Sequence, residues 1–387
     1  MARANVGVRE GRWYWECKIL SGVKPPNHSS DEQEDSGGHV RVGWARREAS
    51  LDTPVGFDAY SYGLRDVAGQ KVHMSRPKDF MPPNTSFCEG DVIGLEITLP
   101  SLALHRKIVE GSYNKAVDVS DDLVEPGHSA AECADIIRDR VPIRYKAHLY
   151  FEQFEYHSTK EIEELMNPSP VLSTTSSSTN NPPSTAASQP PNSNHPLAPL
   201  RTLPFSSINI YKNGQLAGTP FTNLLSFLPP ASKPLNQVGA RDGLDDGMLG
   251  YFPAISVFRG GGAEVNFGPD FWHPPSDLLL QTSNEEDVDM LGSQPDTSKP
   301  TAASQGSTSK LRPISERYNE QIAEDVVFDL VDEVDFWAQD GCPEEGSKGE
   351  TGNLEAEVVA EIGGLEGMEG GLGGGGGEIK ELVQEVE

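Results

Sequence analysis

Residues 11–19 read Gly-Arg-Trp-Tyr-Trp-Glu-Cys-Lys-Ile, and their alternation limits the fold more than any other stretch of the chain. In extended conformation Trp13, Trp15, Cys17 and Ile19 share one side while Tyr14, Glu16 and Lys18 take the other. A period of two is the mark of a half-buried antiparallel strand. Two tryptophans two positions apart require a deep core, because each can bury ~150–250 Å². The segment therefore predicts an all-β scaffold, a class that usually acts through the loops at its ends.

Further strands follow at short intervals. Val40–Trp44, Asp91–Leu99, Ala147–Phe151, Ser207–Lys212, Tyr251–Phe258 and Ala263–Gly268 all carry strand patterning. Asn213-Gly214 predicts a tight type I′ hairpin turn. No long helical period interrupts them, which favours an antiparallel sandwich over any α/β arrangement.

Composition divides the rest. The chain has 387 residues but is only 36% hydrophobic, with 39 Gly and 30 Pro, which argues for one domain with long disordered additions. The domain is expected over residues 1–281, with a loop insert at about 106–140 holding a short helix near 130–138. Residues 167–203, almost wholly Ser, Thr, Pro, Asn and Ala, are expected to form a disordered insert within it. Residues 282–313 read as a polar linker, 314–338 as a helix, and 339–387 as a disordered acidic Gly/Glu-rich tail.

The helix is read from its pattern. No Gly occurs between 314 and 337, Ser315 is placed to cap the start, and Gly341 ends the run. At ~100° per residue, Ala323, Val326, Val327, Leu330, Val331, Val334 and Trp337 fall within one arc, and the acidic residues from Glu324 to Asp335 lie outside it. An isolated helix of this length is marginal in water, so its apolar stripe calls for a partner.

Charge and motif content narrow the function. Residues 301–387 hold 21 acidic against 5 basic residues, supplying −16 of the formal net charge of −28. So acidic a segment repels nucleic acid and argues against direct DNA binding. The N-terminus lacks an apolar signal region and no run of ~18 apolar residues occurs, so a soluble intracellular chain with no membrane partner is expected. Cys17, Cys88, Cys133 and Cys342 are far apart and form no Cys-x-x-Cys pair, which points to reduced, inert thiols and no metal site. Gly-x-Ser-x-Gly, Walker and Rossmann fingerprints in their required contexts are missing. His73, His148 and His157 stand alone, and Asp121-Asp122 with Glu161, Glu163 and Glu164 read as solvated charge. Neither enzymatic activity nor a cofactor is expected.

The blocks Gly-Arg-Trp-Tyr-Trp-Glu (11–16), Arg-Val-Gly-Trp (41–44), Gly-Asp-Val-Ile-Gly (90–94) and Tyr-Lys-Asn-Gly (211–214) resemble a SPRY domain, a concanavalin-like antiparallel β-sandwich. Pro54-Val55-Gly56-Phe57-Asp58, Leu149–Glu152, Phe252–Ser256 and Asn266–Pro269 narrow the resemblance to the Ash-two/Bre-two family. These are SPRY-containing core subunits of COMPASS (Set/MLL-type) complexes, which methylate lysine four of histone H3.

That resemblance implies a non-catalytic scaffold in the nucleus, working beside a separate SET-domain methyltransferase. It implies that an acidic segment of a WD-repeat COMPASS subunit docks on Arg41, Pro54, Phe57 and Arg65, where guanidinium groups suit carboxylates and Pro with an aromatic gives an apolar seat. Phe57 stands where the family usually has Tyr. The resemblance also implies that the C-terminal helix enters the groove of a small Dpy-thirty-type dimer, with Asp325-Val326 and Asp332-Glu333-Val334 matching best. The family places at least one strand ahead of the Gly-Arg-Trp strand. The competing reading is a SPRY-domain substrate receptor of a ubiquitin ligase, which calls for a RING, B-box or cullin-box element that these residues do not show.

Overall fold

The computed structural model describes residues 1–24, 37–82, 85–118, 141–145, 148–152, 155–167, 189–234, 245–276, 278 and 310–340, with backbone alone at 141–152, at 329 and beyond 330. It is mostly β, with short helices at Leu102–Glu110 and Lys160–Met166 and a long one at Ile314–Asp340. The strands are β1 (Ala2–Arg3), β2 (Gly11–Ser21), β3 (His39–Ala45), β4 (Ser61–Arg65), β5 (Gln70–His73), β6 (Arg76–Lys78), β7 (Val92–Leu99), β8 (Val141–Tyr145), β9 (His148–Glu152), β10 (Ser207–Lys212), β11 (Gln215–Thr222), β12 (Phe252–Phe258), β13 (Gly262–Asn266) and β14 (Leu311–Pro313). Compact packing divides the chain into Met1–Val326 and Val327 onward.

Two six-stranded sheets make the first unit. One runs β1-β12-β3-β4-β5-β6, and the other runs β11-β10-β7-β2-β13 with β14 also on β2. β8 and β9 form a separate antiparallel pair. The aromatic strand does what its pattern predicts: Trp13, Trp15 and Cys17 oppose Ile97, Leu95 and Ile93 of β7, and all six are buried. From the other sheet Val42, Trp44 and Leu64 join the same core. Trp15 and Trp44 meet edge to face at 6.3 Å, a favoured geometry for two indoles. The Asn213-Gly214 turn has φ of 51° and 79°, both positive as a type I′ turn requires.

The opposite side of β2 departs from the half-buried expectation. Tyr14 and Glu16 are both fully buried. Their cover comes from the chain after β13: Phe271 packs edge-on to Tyr14 at 4.9 Å, and the Trp272 and His273 amides donate to the Glu16 carboxylate at 2.7 and 2.9 Å. Burial raises the Glu16 carboxyl above its ordinary value, and the two backbone donors oppose that rise.

Three expected boundaries are corrected. Residues 102–110, partly assigned to an insert, form a helix capped by Ser101, and its Leu104, His105, Ile108 and Val109 are buried. Of the 167–203 segment, Gln189 onward packs on the domain, with Leu200 and Leu203 fully buried. The apolar cluster Leu197, Pro199, Leu200 and Leu203 outweighs the polar average of the longer stretch. Leu311–Pro313, assigned to the linker, pairs in parallel with Arg12–Tyr14 of β2. The short helix expected near 130–138, the body of the linker and the tail from 341 lie outside the described residues. Among the described residues no helix is long and apolar enough to cross a membrane.

Two candidate docking surfaces

Alternation sorts the outer face of the β12-β3-β4-β5 sheet into rows. Val40, Val42 and Trp44 point into the core, so His39 and Arg41 point out. Arg41 stands directly opposite Ser256 on one side and Arg65 on the other, and Arg65 in turn opposes Gln70. Residues opposite one another across antiparallel strands share a face. The row is therefore Ser256, Arg41, Arg65, Gln70.

Two guanidinium groups thus sit side by side. Partial burial and the neighbouring Arg65 charge lower the Arg41 pKa, with Asp66 opposing. That Asp66 carboxylate is occupied elsewhere, accepting from the Val40 and Val67 amides at 2.9 and 2.8 Å. The Arg65 Nε is buried and without a hydrogen-bond partner. By contrast Arg9, Arg12, Arg46, Arg312 and Arg317 all hold carboxylates.

The Pro54–Phe57 loop lies across the same face. Val55 donates its amide to Ser256 Oγ at 2.9 Å and covers Gly63 of β4, where a Cβ would stand 2.9 Å from the Val55 carbonyl. Gly56 adopts a φ of +82° that favours glycine, and its carbonyl accepts from the Ser75 amide. These bonds hold Pro54 half-buried and leave Phe57 48% exposed. Phe57 sits toward the β5–β6 turn, its carbonyl accepting from Ser75 Oγ at 2.8 Å. The structure thus brings the four expected residues to one sheet face. Among the described residues, no hydrogen bond or ring contact joins Phe57 to either arginine.

The second surface is the C-terminal helix, and it does not stand alone as expected. Leu311 and Ile314 are buried, Arg312 lies over the Trp13 ring at 4.3 Å, and Arg317 donates to the Gly7 carbonyl. Gln321 Nε2 donates to the Asn5 carbonyl at 3.4 Å. Ile314, Arg317, Gln321 and Glu324 fall within about 80° of arc and form the inner side. On the other side Ala323 is exposed, and Ile322, Val326, Val327 and Leu330 are 44–58% exposed. Ile322 precedes Val326 by one turn and lengthens the expected stripe; counting from Ala323 left it out. The side chains of Val331, Val334 and Trp337 lie outside the described residues.

Among the described residues no group of three His, Cys, Asp or Glu is placed to hold a metal ion. Burial pushes the Cys17 thiol up to about 12, which makes it unreactive.

No family model matches the chain. Among curated proteins it is 56% identical over 363 residues to "COMPASS component cclA" of Colletotrichum higginsianum, covering 92% of this chain and 61% of that one. It is 40% identical over 336 residues to "Set1 complex component ash2" of Schizosaccharomyces pombe, covering 87% of this chain and 37% of the relative. With "COMPASS component BRE2" of Saccharomyces cerevisiae it shares 25% identity over 424 residues, 86% of this chain and 75% of that one. The chain spans about half the length of the first curated relatives it matches. A human SPRY domain is paired with 70% of this chain and 85% of its own length, at 13% identity and a TM-score of 0.28, a level that adds nothing to the assignment.

Proposed function

The chain belongs to the Ash-two/Bre-two family, and from that premise we propose that it is a non-catalytic scaffold subunit of a nuclear COMPASS-type complex that methylates histone H3 on lysine four. Its sandwich is of the SPRY type. The sheet face around Arg41, Pro54, Phe57 and Arg65 receives an acidic segment of a WD-repeat subunit. The stripe Ala323, Val326, Val327, Leu330, Val331, Val334 and Trp337 enters the groove of a small Dpy-thirty-type dimer, and both partners serve a separate SET-domain methyltransferase.

The single observation that carries this reading is the arginine row. Arg41 and Arg65 are paired across adjacent strands, and no carboxylate among the described residues lies within ion-pair distance of either. Facing like charges are destabilising in a sheet, so a row of this kind is matched by an anionic ligand. The helix adds support: four large apolar side chains are about half exposed on its outer side, and burying each contributes ~1.5–3 kcal/mol before ordering costs.

The test is binding of the purified WD-repeat subunit and of the small dimer to the full chain and two variants. Arg41→Glu is expected to weaken the WD-repeat contact at least tenfold and leave the dimer bound. Leu330→Asp is expected to do the reverse. Loss of both partners from either variant would refute the division into two sites, and unchanged binding would refute the residue assignment.

A further inference from the structure

The arginine row is flanked by a feature that lies outside the four residues already assigned. Two positions along β3 from Arg41, on the same face, stands His39, and directly opposite His39 on β12 is Phe258. The two rings stack, with centroids 6.5 Å apart and planes 23° from parallel. Phe258 is nonetheless 60% exposed. Arg259, the next residue, folds its guanidinium over the Phe258 ring at 5.4 Å and has no carboxylate partner among the described residues. An exposed phenyl flanked by an imidazole and a guanidinium thus stands one row along the same sheet face from Arg41.

We infer that the Phe258–His39–Arg259 wall is a second, cationic-aromatic seat of the same docking face, and that it takes an aromatic side chain lying two residues from the carboxylate held by Arg41 and Arg65. This rests on the reading of the arginine row as the seat of an acidic partner segment.

Spacing sets the register of the ligand. An extended peptide laid along the strands shows a side chain on one side every second residue, ~6.6–7 Å apart. The step along β3 from Arg41 to His39 is the same two residues. A carboxylate on the arginine row therefore brings the side chain two positions away over the Phe258 ring. There an aromatic gains area burial and ring stacking together, and Arg259 adds attraction for the acidic residues in between. Its partner class is thus narrower than an acidic stretch: acidic and aromatic residues in alternation.

The test uses two synthetic peptides that differ at two positions. One has a central Glu with Phe two residues to either side and acidic residues between, so that chain direction does not matter. In the other both Phe are Ala. Fluorescence anisotropy with the full chain is expected to show the Phe peptide binding about tenfold more tightly. Phe258→Ala is expected to remove most of that preference while leaving the Ala peptide's affinity and the thermal midpoint unchanged, since the ring is largely exposed. Arg41→Glu is expected to lose both peptides. Equal binding of the two peptides with the Arg41 dependence kept would overturn the aromatic seat alone. Failure of both peptides to bind would overturn the acidic-segment reading along with it.

Discussion

Arg41 and Arg65 face each other across β3 and β4 with Ser256 and Gln70 at either end of the row, and none of these neighbours carries a compensating charge. Like charges directly opposed on a sheet destabilise it by a few tenths of a kcal/mol to about 1 kcal/mol. Arg65→Gln is therefore expected to leave the free chain as stable as before or more so, by up to about 0.5 kcal/mol, while acidic ligands bind less well. Urea unfolding and anisotropy titration of the same variant check both halves. Added salt is expected to narrow the binding difference, because the solvent-reached part of a half-buried pair on a sheet face is screened within ~8–10 Å.

Gly43 tests whether the sheet holds that row in place. It opposes Gly63 on β4, and a Cβ on Gly43 would lie 2.0 Å from the Tyr62 carbonyl oxygen. Backbone cannot yield as a flexible side chain does, so Gly43→Ala must spread β3 from β4. The expected loss is about 1–3 kcal/mol by urea unfolding, with weaker acidic-peptide binding because Arg41 and Arg65 lie one row away. Wild-type stability would show that the strands part without strain.

Acid is expected to destabilise the sandwich through its enclosed histidines. His73 stacks on Tyr62 at 4.3 Å, and burial lowers its pKa from 6.5 to about 4. His105, whose Nε2 accepts from the Phe227 amide, is lowered in the same direction by burial. The unfolded chain takes up these protons between about pH 6.5 and 4, and the folded chain does not. Stability is thus full above pH 6.5 and falls as pH drops toward 4, by up to about 1.4 kcal/mol per pH unit per histidine. Glu16 and Asp58, raised by burial, titrate in the opposite sense. The difference between wild type and His73→Gln isolates the histidine: the variant's thermal midpoint is expected to depend less on pH between 6.5 and 4.5.

Much of this fold is legible in local pattern. The Trp13–Ile19 alternation, the Asn213-Gly214 turn and the strands 39–45, 92–99 and 252–258 announce themselves because the signal sits within a few neighbouring residues. β4 to β6 do not: Gly63, Lys71, Arg76 and Lys78 break any simple alternation, and successive pairing outward from β3 makes them strands. Burial of Glu16 was equally hidden, since its cover lies more than 250 residues downstream. The family resemblance pointed to Arg41 and Arg65. Phe258 emerges only once β12 is placed beside β3, because nothing in its own neighbourhood ties it to position 41. Composition misled where apolar residues were few but clustered, as at Leu197–Leu203.

The helix separates anchoring from docking, and the two are expected to respond to different substitutions. Leu311 and Ile314 are 1% and 2% exposed, with β14 bonded to β2 just before the helix begins. Ile314→Ala removes packing from a closed site and is expected to cost roughly 2–4 kcal/mol. Hydrogen exchange would show faster opening from Leu311 through Gln321. Leu330 is 56% exposed, so Leu330→Asp is expected to leave the melting curve within ~0.5 kcal/mol of wild type and exchange across 311–321 unchanged. Its cost falls on the bound state instead, where a carboxylate would enter an apolar groove without a partner. If Leu330→Asp loosened the first turns, the stripe would be part of the fold, and its exposure would not mark a place for a partner.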